Sequence, residues 1–169
     1  LLNYLSYKSG DFTSNPNADV SLVDIDNDND NDLILTQSTY TYIYTNDGTG
    51  NFTFLESHSA VNFTAITPGD LNNDGYMDFF VGHSFSAQGA EIFINNGTGN
   101  FTNIHLSTDM DEAKLFDIDF DGDLDIIGKS SSASTFTIMK NDGSGNFTLH
   151  SSTPVATPNS ITVFTFEED

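Results

Sequence analysis

The chain repeats itself three times at an almost constant spacing. Acidic segments begin at residues 24, 70 and 117 and read DIDNDNDND, DLNNDGYMD and DIDFDGDLD. A glycine-rich segment alternates with them, begins at residues 46, 95 and 141, and reads NDGTGNFT, NNGTGNFT and NDGSGNFT. Self-similarity at this period predicts a repeat architecture, in which each unit is one supersecondary structure that stacks on its neighbours.

Each repeat contains four short segments with the composition of β-strands. In the third repeat they read KLFDI, DLDIIG, STFTIMK and NFTLHSS, which are rich in Ile, Phe and Thr. The glycine-rich segments fit hairpin turns, because Asn, Asp and Gly tolerate positive φ. No stretch of ten or more residues has a helical period. We therefore predict an all-β fold, a partial or small β-propeller of four-stranded antiparallel blades.

The two motifs divide the chain into three complete blades and two fragments. The complete blades, each with its acidic loop, are predicted at residues 18–60, 61–108 and 109–155. Residues 1–17 are expected to be the last strands of a preceding blade, and residues 156–169 the first strand of a following blade. We expect the chain to be a mature or excised piece of a longer protein, whose neighbouring blades, or a second chain, close the propeller.

The charge balance excludes several classes of partner. Acidic residues outnumber basic ones 25 to 4, which gives a formal net charge of −21. Nucleic-acid binding requires clusters of Lys and Arg, so no nucleic-acid partner is expected. The absence of cysteine excludes disulfides and thiolate ligands. No run of about 18 apolar residues occurs, so no membrane insertion is expected.

The acidic loops place side-chain oxygen donors at positions 1, 3, 5 and 9. The backbone carbonyl at position 7 adds another oxygen, so the donors lie on alternate residues. Several hard oxygen ligands on a tightly curled backbone suit Ca²⁺ better than Zn²⁺ or Mg²⁺. In order of position, the predicted ligands are Asp24, Asp26, Asp28, Asp30 and Asp32 in loop one; Asp70, Asn72, Asp74, Tyr76 and Asp78 in loop two; and Asp117, Asp119, Asp121, Asp123 and Asp125 in loop three. The Asp123 side chain is expected to face solvent.

An EF-hand begins with a similar pattern but is excluded here. It requires Glu at position 12 and flanking helices. Position 12 is Leu35, Val81 or Gly128, and the flanking segments have the composition of strands. Position 6 is Asn or Gly in each loop, which indicates a sharp turn with positive φ.

The two motifs together resemble the FG-GAP and VCBS-type repeats. The acidic loops have the form D-x-[DN]-x-D-[GN]-x-x-D and run into an apolar strand, and N-[DN]-G-[TS]-G-N-F-T follows. The resemblance implies the propeller blades of integrin α-subunits and of secreted microbial repeat proteins, with the acidic loop between the first and second strands and one Ca²⁺ per complete blade. Asn29 replaces the usual Gly, and Asn72 removes a charge, so loop two is expected to bind more weakly. Thr165 occupies the first ligand position of an expected fourth loop.

Two other interpretations of the acidic loops are solvated turns without metal and catalytic acid–base pairs. Turns do not require donors on alternate residues three times over, and a metal with every protein oxygen engaged stabilises the fold without acting as a Lewis acid. Thirteen of the 25 acidic residues lie in these loops. Because they repel one another without cations, we expect calcium binding to be coupled to folding.

The histidines and a tyrosine-rich strand are further candidates. His58, His83, His105 and His150 occupy no repeated position, and we interpret them as polar or strand-edge residues, with His83 as a catalytic alternative of the kind some related polysaccharide lyases use. The rings of Tyr40, Tyr42 and Tyr44 alternate onto one strand face, which indicates packing between blades, or alternatively a sugar-binding platform.

We therefore expect a calcium-stabilised module that is secreted or displayed at the cell surface and binds or adheres to carbohydrate or a cell-surface protein without catalysis. The alternatives are the propeller of a carbohydrate-active enzyme such as a polysaccharide lyase, with its catalytic residues elsewhere, and a purely structural repeat.

Overall fold

The computed structural model describes residues 18–37, 39–59, 63–84, 89–156 and 161. Within them the regular secondary structure consists of strands alone. In chain order the strands are β1 Asp19–Val23, β2 Asp32–Gln37, β3 Tyr40–Asn46, β4 Phe52–Ser59, β5 Phe63–Gly69, β6 Asp78–His83, β7 Glu91–Asn95, β8 Phe101–His105, β9 Glu112–Phe116, β10 Asp125–Ser130, β11 Thr135–Asn141 and β12 Phe147–Pro154.

The strands form three four-stranded antiparallel sheets, each built from four consecutive strands. Blade one is β1–β4, blade two is β5–β8 and blade three is β9–β12. Each acidic loop joins the first strand of its blade to the second, and each glycine-rich turn joins the third to the fourth. The predicted all-β fold of four-stranded blades, a partial β-propeller, is thereby confirmed.

Blade two lies between the other two and buries both of its faces. Its second strand has the sequence DFFVGH and is buried along its whole length. Because side chains alternate across a strand, Phe79 and Val81 enter the core shared with blade one, and Phe80 enters the core shared with blade three. In the first core the rings of Phe79 and Phe93 stack with their centroids 4.7 Å apart. This alternation explains why the central strand reads as continuously apolar.

The first strand of each blade lies on the inner side of the assembly, next to the first strand of its neighbour. The backbone N–H of Ile66 donates to Oδ2 of Asp19 over 2.9 Å. The hydroxyl of Thr67 donates to the carbonyl of Ala113 over 3.0 Å. These bonds connect β1 to β5 and β5 to β9, and a cavity of about 560 Å³ opens between the inner strands.

Two predictions fall largely outside the described residues. The strands expected in residues 1–17 lie wholly outside them, as does Thr165. Of residues 156–169, the structure describes only 156 and 161. No helix in the described part of the chain is long and apolar enough to cross a membrane.

Candidate metal centres

The three acidic loops share one backbone conformation, which the aspartate at position 1 stabilises. In loop one, Oδ1 of Asp24 accepts the N–H of Asp28 over 3.2 Å, and Oδ2 accepts the N–H of Asn29 over 2.9 Å. The equivalent bonds in loops two and three have almost the same lengths. One carboxylate thus curls the following five residues around itself in every blade.

Position 6 of each loop requires a left-handed backbone. The φ angle is 74° at Asn29, 87° at Gly75 and 97° at Gly122. A Cβ added at Gly75 or Gly122 would meet nothing within 4 Å. The requirement is therefore one of backbone conformation and not of space, and Asn meets it in loop one because it tolerates positive φ.

The curled backbone brings the first three predicted side-chain donors together in loops one and three. Carboxylate oxygens of Asp24, Asp26 and Asp28 all lie within 4.8 Å of one another, and so do those of the equivalent residues of loop three, Asp117, Asp119 and Asp121. In loop two the amide of Asn72 takes the place of one carboxylate, and its Nδ2 donates to Oδ2 of Asp74 over 2.9 Å. Every side-chain donor is a hard oxygen, so the set fits Ca²⁺.

The aspartate at position 9 is buried and already carries two hydrogen bonds. Asp32, Asp78 and Asp125 are each 0% exposed. In loop one, Oδ2 of Asp32 accepts the N–H of Ile25 over 2.9 Å, and Oδ1 accepts the N–H of Asn46 over 2.7 Å. The same pair of bonds recurs in blades two and three. This aspartate thus fixes the loop to the end of the third strand, besides being a predicted ligand.

Burial disfavours the charged form of Asp32 and Asp78. Desolvation, together with the nearby charges of Asp74 and Asp70, raises the pKa of Asp78 to about 6, although hydrogen bonds from the backbone N–H groups of Asn95 and Leu71 act in the opposite direction. Burial also raises the pKa of Asp32. A divalent cation beside these groups would counteract that effect, since an opposite charge favours the ionised carboxylate.

The side chain at position 7 covers the glycine-rich turn. A Cβ on Gly48 would lie 2.3 Å from a carboxylate oxygen of Asp30, and one on Gly143 would lie 2.6 Å from Asp123. Oδ1 of Asp123 also accepts a hydrogen bond from Nδ2 of Asn73, over 2.6 Å. The expectation that the Asp123 side chain faces solvent is therefore wrong, because it is half-buried between two loops.

Hydrogen bonds connect the loops of adjacent blades. Nδ2 of Asn95, at the end of β7, donates to the carbonyl of Ile25 in loop one over 2.6 Å. Nδ2 of Asn141, at the end of β11, donates in the same way to Leu71 in loop two over 2.8 Å. In blades two and three the first asparagine of the glycine-rich segment thus holds the acidic loop of the preceding blade, a role that the local sequence pattern did not reveal.

A positive charge contacts loop three. Nζ of Lys140, on β11, lies 2.5 Å from Oδ2 of Asp119, the side-chain donor at position 3. This hydrogen bond lowers the pKa of Asp119 and raises the pKa of Lys140. Sequence reasoning missed the contact because Lys140 lies outside the loop motif and reaches it only through the pairing of β10 with β11.

Two buried titratable residues, with an exposed histidine beside them, lie between blades one and two, at the end of blade two away from loop two. His83 and Glu91 are 0% and 1% exposed. Nε2 of His83 lies 3.8 Å from Oε2 of Glu91, and Nδ1 of His105 lies 3.1 Å from Oε1. The ring of His83 packs edge-on against Phe63. The interpretation of His83 as a strand-edge residue is therefore wrong in one respect, because its side chain is fully buried and lies beside the carboxylate of Glu91.

The predicted tyrosine face is turned away from blade two. Tyr42 and Tyr44 pair with Leu35 and Leu33, on the face opposite Ile43 and the core shared with blade two. Tyr40 is 42% exposed. Both interpretations of this face, packing against a further blade and sugar binding, stay predictions.

Comparisons with known proteins agree with the repeat. A family model described as FG-GAP-like repeat matches residues 24–81 and 70–128. No curated protein sequence matches the chain. Among solved structures, a lectin of Agrocybe aegerita described for specific recognition of non-reducing terminal N-acetylglucosamine matches with a TM-score of 0.56 and 21% identity. The match covers 78% of this chain and 37% of the lectin chain, so this chain spans much less than the lectin's full length, and the likeness concerns the fold.

Proposed function

Since the chain belongs to the FG-GAP-like repeat family, we propose that it is a calcium-stabilised propeller module that binds carbohydrate without catalysis. The observation that carries the calcium part is the convergence of three carboxylates within 4.8 Å in loops one and three. Like charges held this close destabilise the fold unless a cation lies among them. Ca²⁺ supplies that charge, and the side-chain oxygens of positions 1, 3 and 5 hold it together with the carbonyl at position 7.

The position-9 aspartates have a double role in this proposal. Each accepts one backbone N–H of its loop and one at the end of the third strand, as from Ile25 and Asn46 in blade one. A carboxylate oxygen has two lone pairs, so it accepts a hydrogen bond and still offers an electron pair to a cation. The ion thereby connects the loop to the second strand and to the core behind it.

The carbohydrate part rests on the fold and on the inner cavity. The Agrocybe aegerita lectin, which shares the fold, is described for recognition of terminal N-acetylglucosamine. The cavity of about 560 Å³ lies within the range of about 300–1,000 Å³ that ligand pockets occupy. The polar residues Thr64, Thr67 and Ser131 line it together with the charged residues Glu112 and Lys114. Such a mixture of donors and acceptors suits a ligand rich in hydroxyl groups.

The location that we propose is outside the cell, either secreted or at a cell surface. Loops whose ligands are mostly exposed carboxylates, such as Asp26 and Asp28, suit the weak calcium sites of extracellular modules, which function at about 10⁻⁴–10⁻³ M. Measuring the calcium dissociation constants tests this point: nanomolar values for all loops would contradict it, because such sites fill at intracellular concentrations.

A glycan array tests the ligand class. The chain is expected to bind a subset of glycans in Ca²⁺ and to lose that binding in EDTA. Lys114→Ala, which removes a side chain that lines the cavity, is expected to weaken binding severalfold, whereas the exposed Thr148→Ala on β12 serves as a control.

Three results would contradict the proposal. If the chain bound no glycan and instead bound a cell-surface protein, it would be an adhesion module that recognises protein. Equal binding by both variants would exclude the cavity, and release of new reducing ends from a polysaccharide would contradict the absence of catalysis.

A further inference from the structure

The ammonium group of Lys140 lies among the acidic residues of loop three. Its Nζ is 2.5 Å from Oδ2 of Asp119, and each side chain is 33% exposed. The other lysines of the described residues, Lys114 and Lys129, lie 3.9 and 3.3 Å from Glu112 instead. Lys140 thus contacts a predicted ligand of an acidic loop, whereas the ion pairs of Lys114 and Lys129 are with a residue of β9.

The equivalent positions in the other blades are uncharged. Lys140 is the residue before Asn141, whose backbone N–H binds the position-9 aspartate of loop three. In blades one and two the same asparagine follows Thr45 and Ile94. Loops one and three each contain five aspartates, so Lys140 is the main difference in charge between them.

We propose that Lys140 is an intramolecular competitor for the cation of loop three, which therefore binds Ca²⁺ more weakly than loop one. This inference rests on the calcium role proposed above. A cation that enters loop three must displace the ammonium group from Asp119 or bind beside it. Displacement breaks a charge-assisted hydrogen bond, and binding beside it places two positive charges close together.

The consequence is a graded response to calcium. In the absence of Ca²⁺, Lys140 compensates part of the charge of loop three, so blade three depends less on the ion than blade one does. As Ca²⁺ falls, loop three loses its ion before loop one. Loop two is weakened for a different reason, since Asn72 replaces a carboxylate there.

Amide NMR during a calcium titration of the EDTA-stripped chain tests this inference loop by loop. The N–H groups of Asn29 and Gly122 bind the position-1 aspartates of loops one and three, so each reports on its own loop. In the wild-type chain the midpoint for Gly122 is expected at roughly tenfold higher Ca²⁺ than the midpoint for Asn29. Lys140→Thr, which copies Thr45 of blade one, is expected to remove most of that difference.

Two further variants control for structural damage. Lys140→Arg retains the positive charge and is expected to retain the high midpoint for Gly122. Thr45→Lys places the same charge beside loop one and is expected to raise the midpoint for Asn29 while leaving that for Gly122 unchanged.

The outcomes separate this inference from the proposed function. Equal Gly122 midpoints in the wild-type chain and in Lys140→Thr would overturn the competitor role while the calcium proposal stands. If no loop amide of any variant responded to Ca²⁺, the proposed function would fall, and this inference with it.

Discussion

Asp32 shows how one side chain contributes to both local structure and charge. It is the first residue of β2 and is fully buried, and both of its oxygens accept backbone N–H groups. Asp26, two residues after the loop begins, is exposed. The two aspartates are both predicted ligands of the same ion, yet only Asp32 holds the backbone from within the core.

This difference predicts opposite effects on the metal-free chain. Asp32→Asn places an NH₂ group against a backbone N–H and is expected to cost about 1–3 kcal/mol of the free energy of unfolding in EDTA. Asp26→Asn removes one of several crowded like charges and is expected to leave stability unchanged or slightly higher. Urea denaturation in EDTA measures both. Equal destabilisation by the two variants would contradict the account of position 9.

Asp78 predicts a pH dependence of the metal-free chain. Burial raises its pKa from 3.8 to about 6, so the folded state binds the proton more tightly than the unfolded state does. The stability that protonation contributes is complete below about pH 4 and is lost as the pH rises through about 6. A shift of this size corresponds to at most about 3 kcal/mol.

Urea denaturation in EDTA at pH 4.5 and pH 7.5 measures this effect. The free energy of unfolding is expected to fall by about 1–3 kcal/mol more in the wild-type chain than in Asp78→Asn, which has no titrating group at this position. Saturating Ca²⁺ is expected to reduce the difference, because the ion favours the carboxylate. A wild-type decrease no larger than that of the variant would contradict the burial argument.

At the scale of the strands and turns, the asparagines at the ends of β7 and β11 connect adjacent blades. Asn95 and Asn141 are 0% and 6% exposed, and each donates to a carbonyl in the acidic loop of the preceding blade. Asn46, at the same position in blade one, is half-buried and donates within its own loop, to Asn31 over 3.0 Å.

The chain therefore offers a matched set of alanine variants. Asn95→Ala and Asn141→Ala leave buried carbonyl groups without a donor and are each expected to cost about 1–3 kcal/mol. Asn46→Ala is expected to cost less, because water can replace the hydrogen bond that the carbonyl of Asn31 loses. Thermal unfolding in Ca²⁺ ranks the stabilities of the three variants. A loss of stability in Asn46→Ala as large as in Asn95→Ala would show that the hydrogen bonds between blades add no stability beyond that of a bond within one loop.

Sequence and structure agree best where the determining pattern is local. Donors on alternate residues and a turn residue at Gly75 or Gly122 lie within nine residues, so the loop conformation was predictable. The bond from Asn95 to Ile25 spans 70 residues, and its partner is a backbone carbonyl that carries no residue signature. Likewise, His83 and Glu91 meet only through the register of β6 and β7, which no spacing rule indicated.

For the whole molecule, the period of the repeat was sufficient to predict the architecture. Four short apolar segments per repeat predicted one sheet per repeat, and the central sheet stacks on both neighbours because both of its faces are apolar. The side of the tyrosine face was not predictable, since strict alternation places Tyr42 and Tyr44 on one face without saying which neighbour that face meets. The placement of charge was predictable only in part, because Lys140 reaches loop three across a strand pair.

We propose above that the acidic loops bind calcium and that the ions stabilise the blades. A ligand that binds only the folded state stabilises it by about 2.7 kcal/mol per site at 100 times its dissociation constant. For a chain of this size each kcal/mol corresponds to about 2–4 °C in the melting temperature. Three partly filled loops should therefore change the melting temperature by a clearly measurable amount.

The most direct measurement is the melting temperature of the EDTA-stripped chain with and without added Ca²⁺, with Mg²⁺ at the same ionic strength as the control. We expect Ca²⁺ to raise it by at least about 5 °C, Mg²⁺ to raise it much less, and EDTA to reverse the effect. An unchanged melting temperature in Ca²⁺, or an equal rise in Mg²⁺, would contradict the claim that these loops are calcium sites on which the stability of the blades depends.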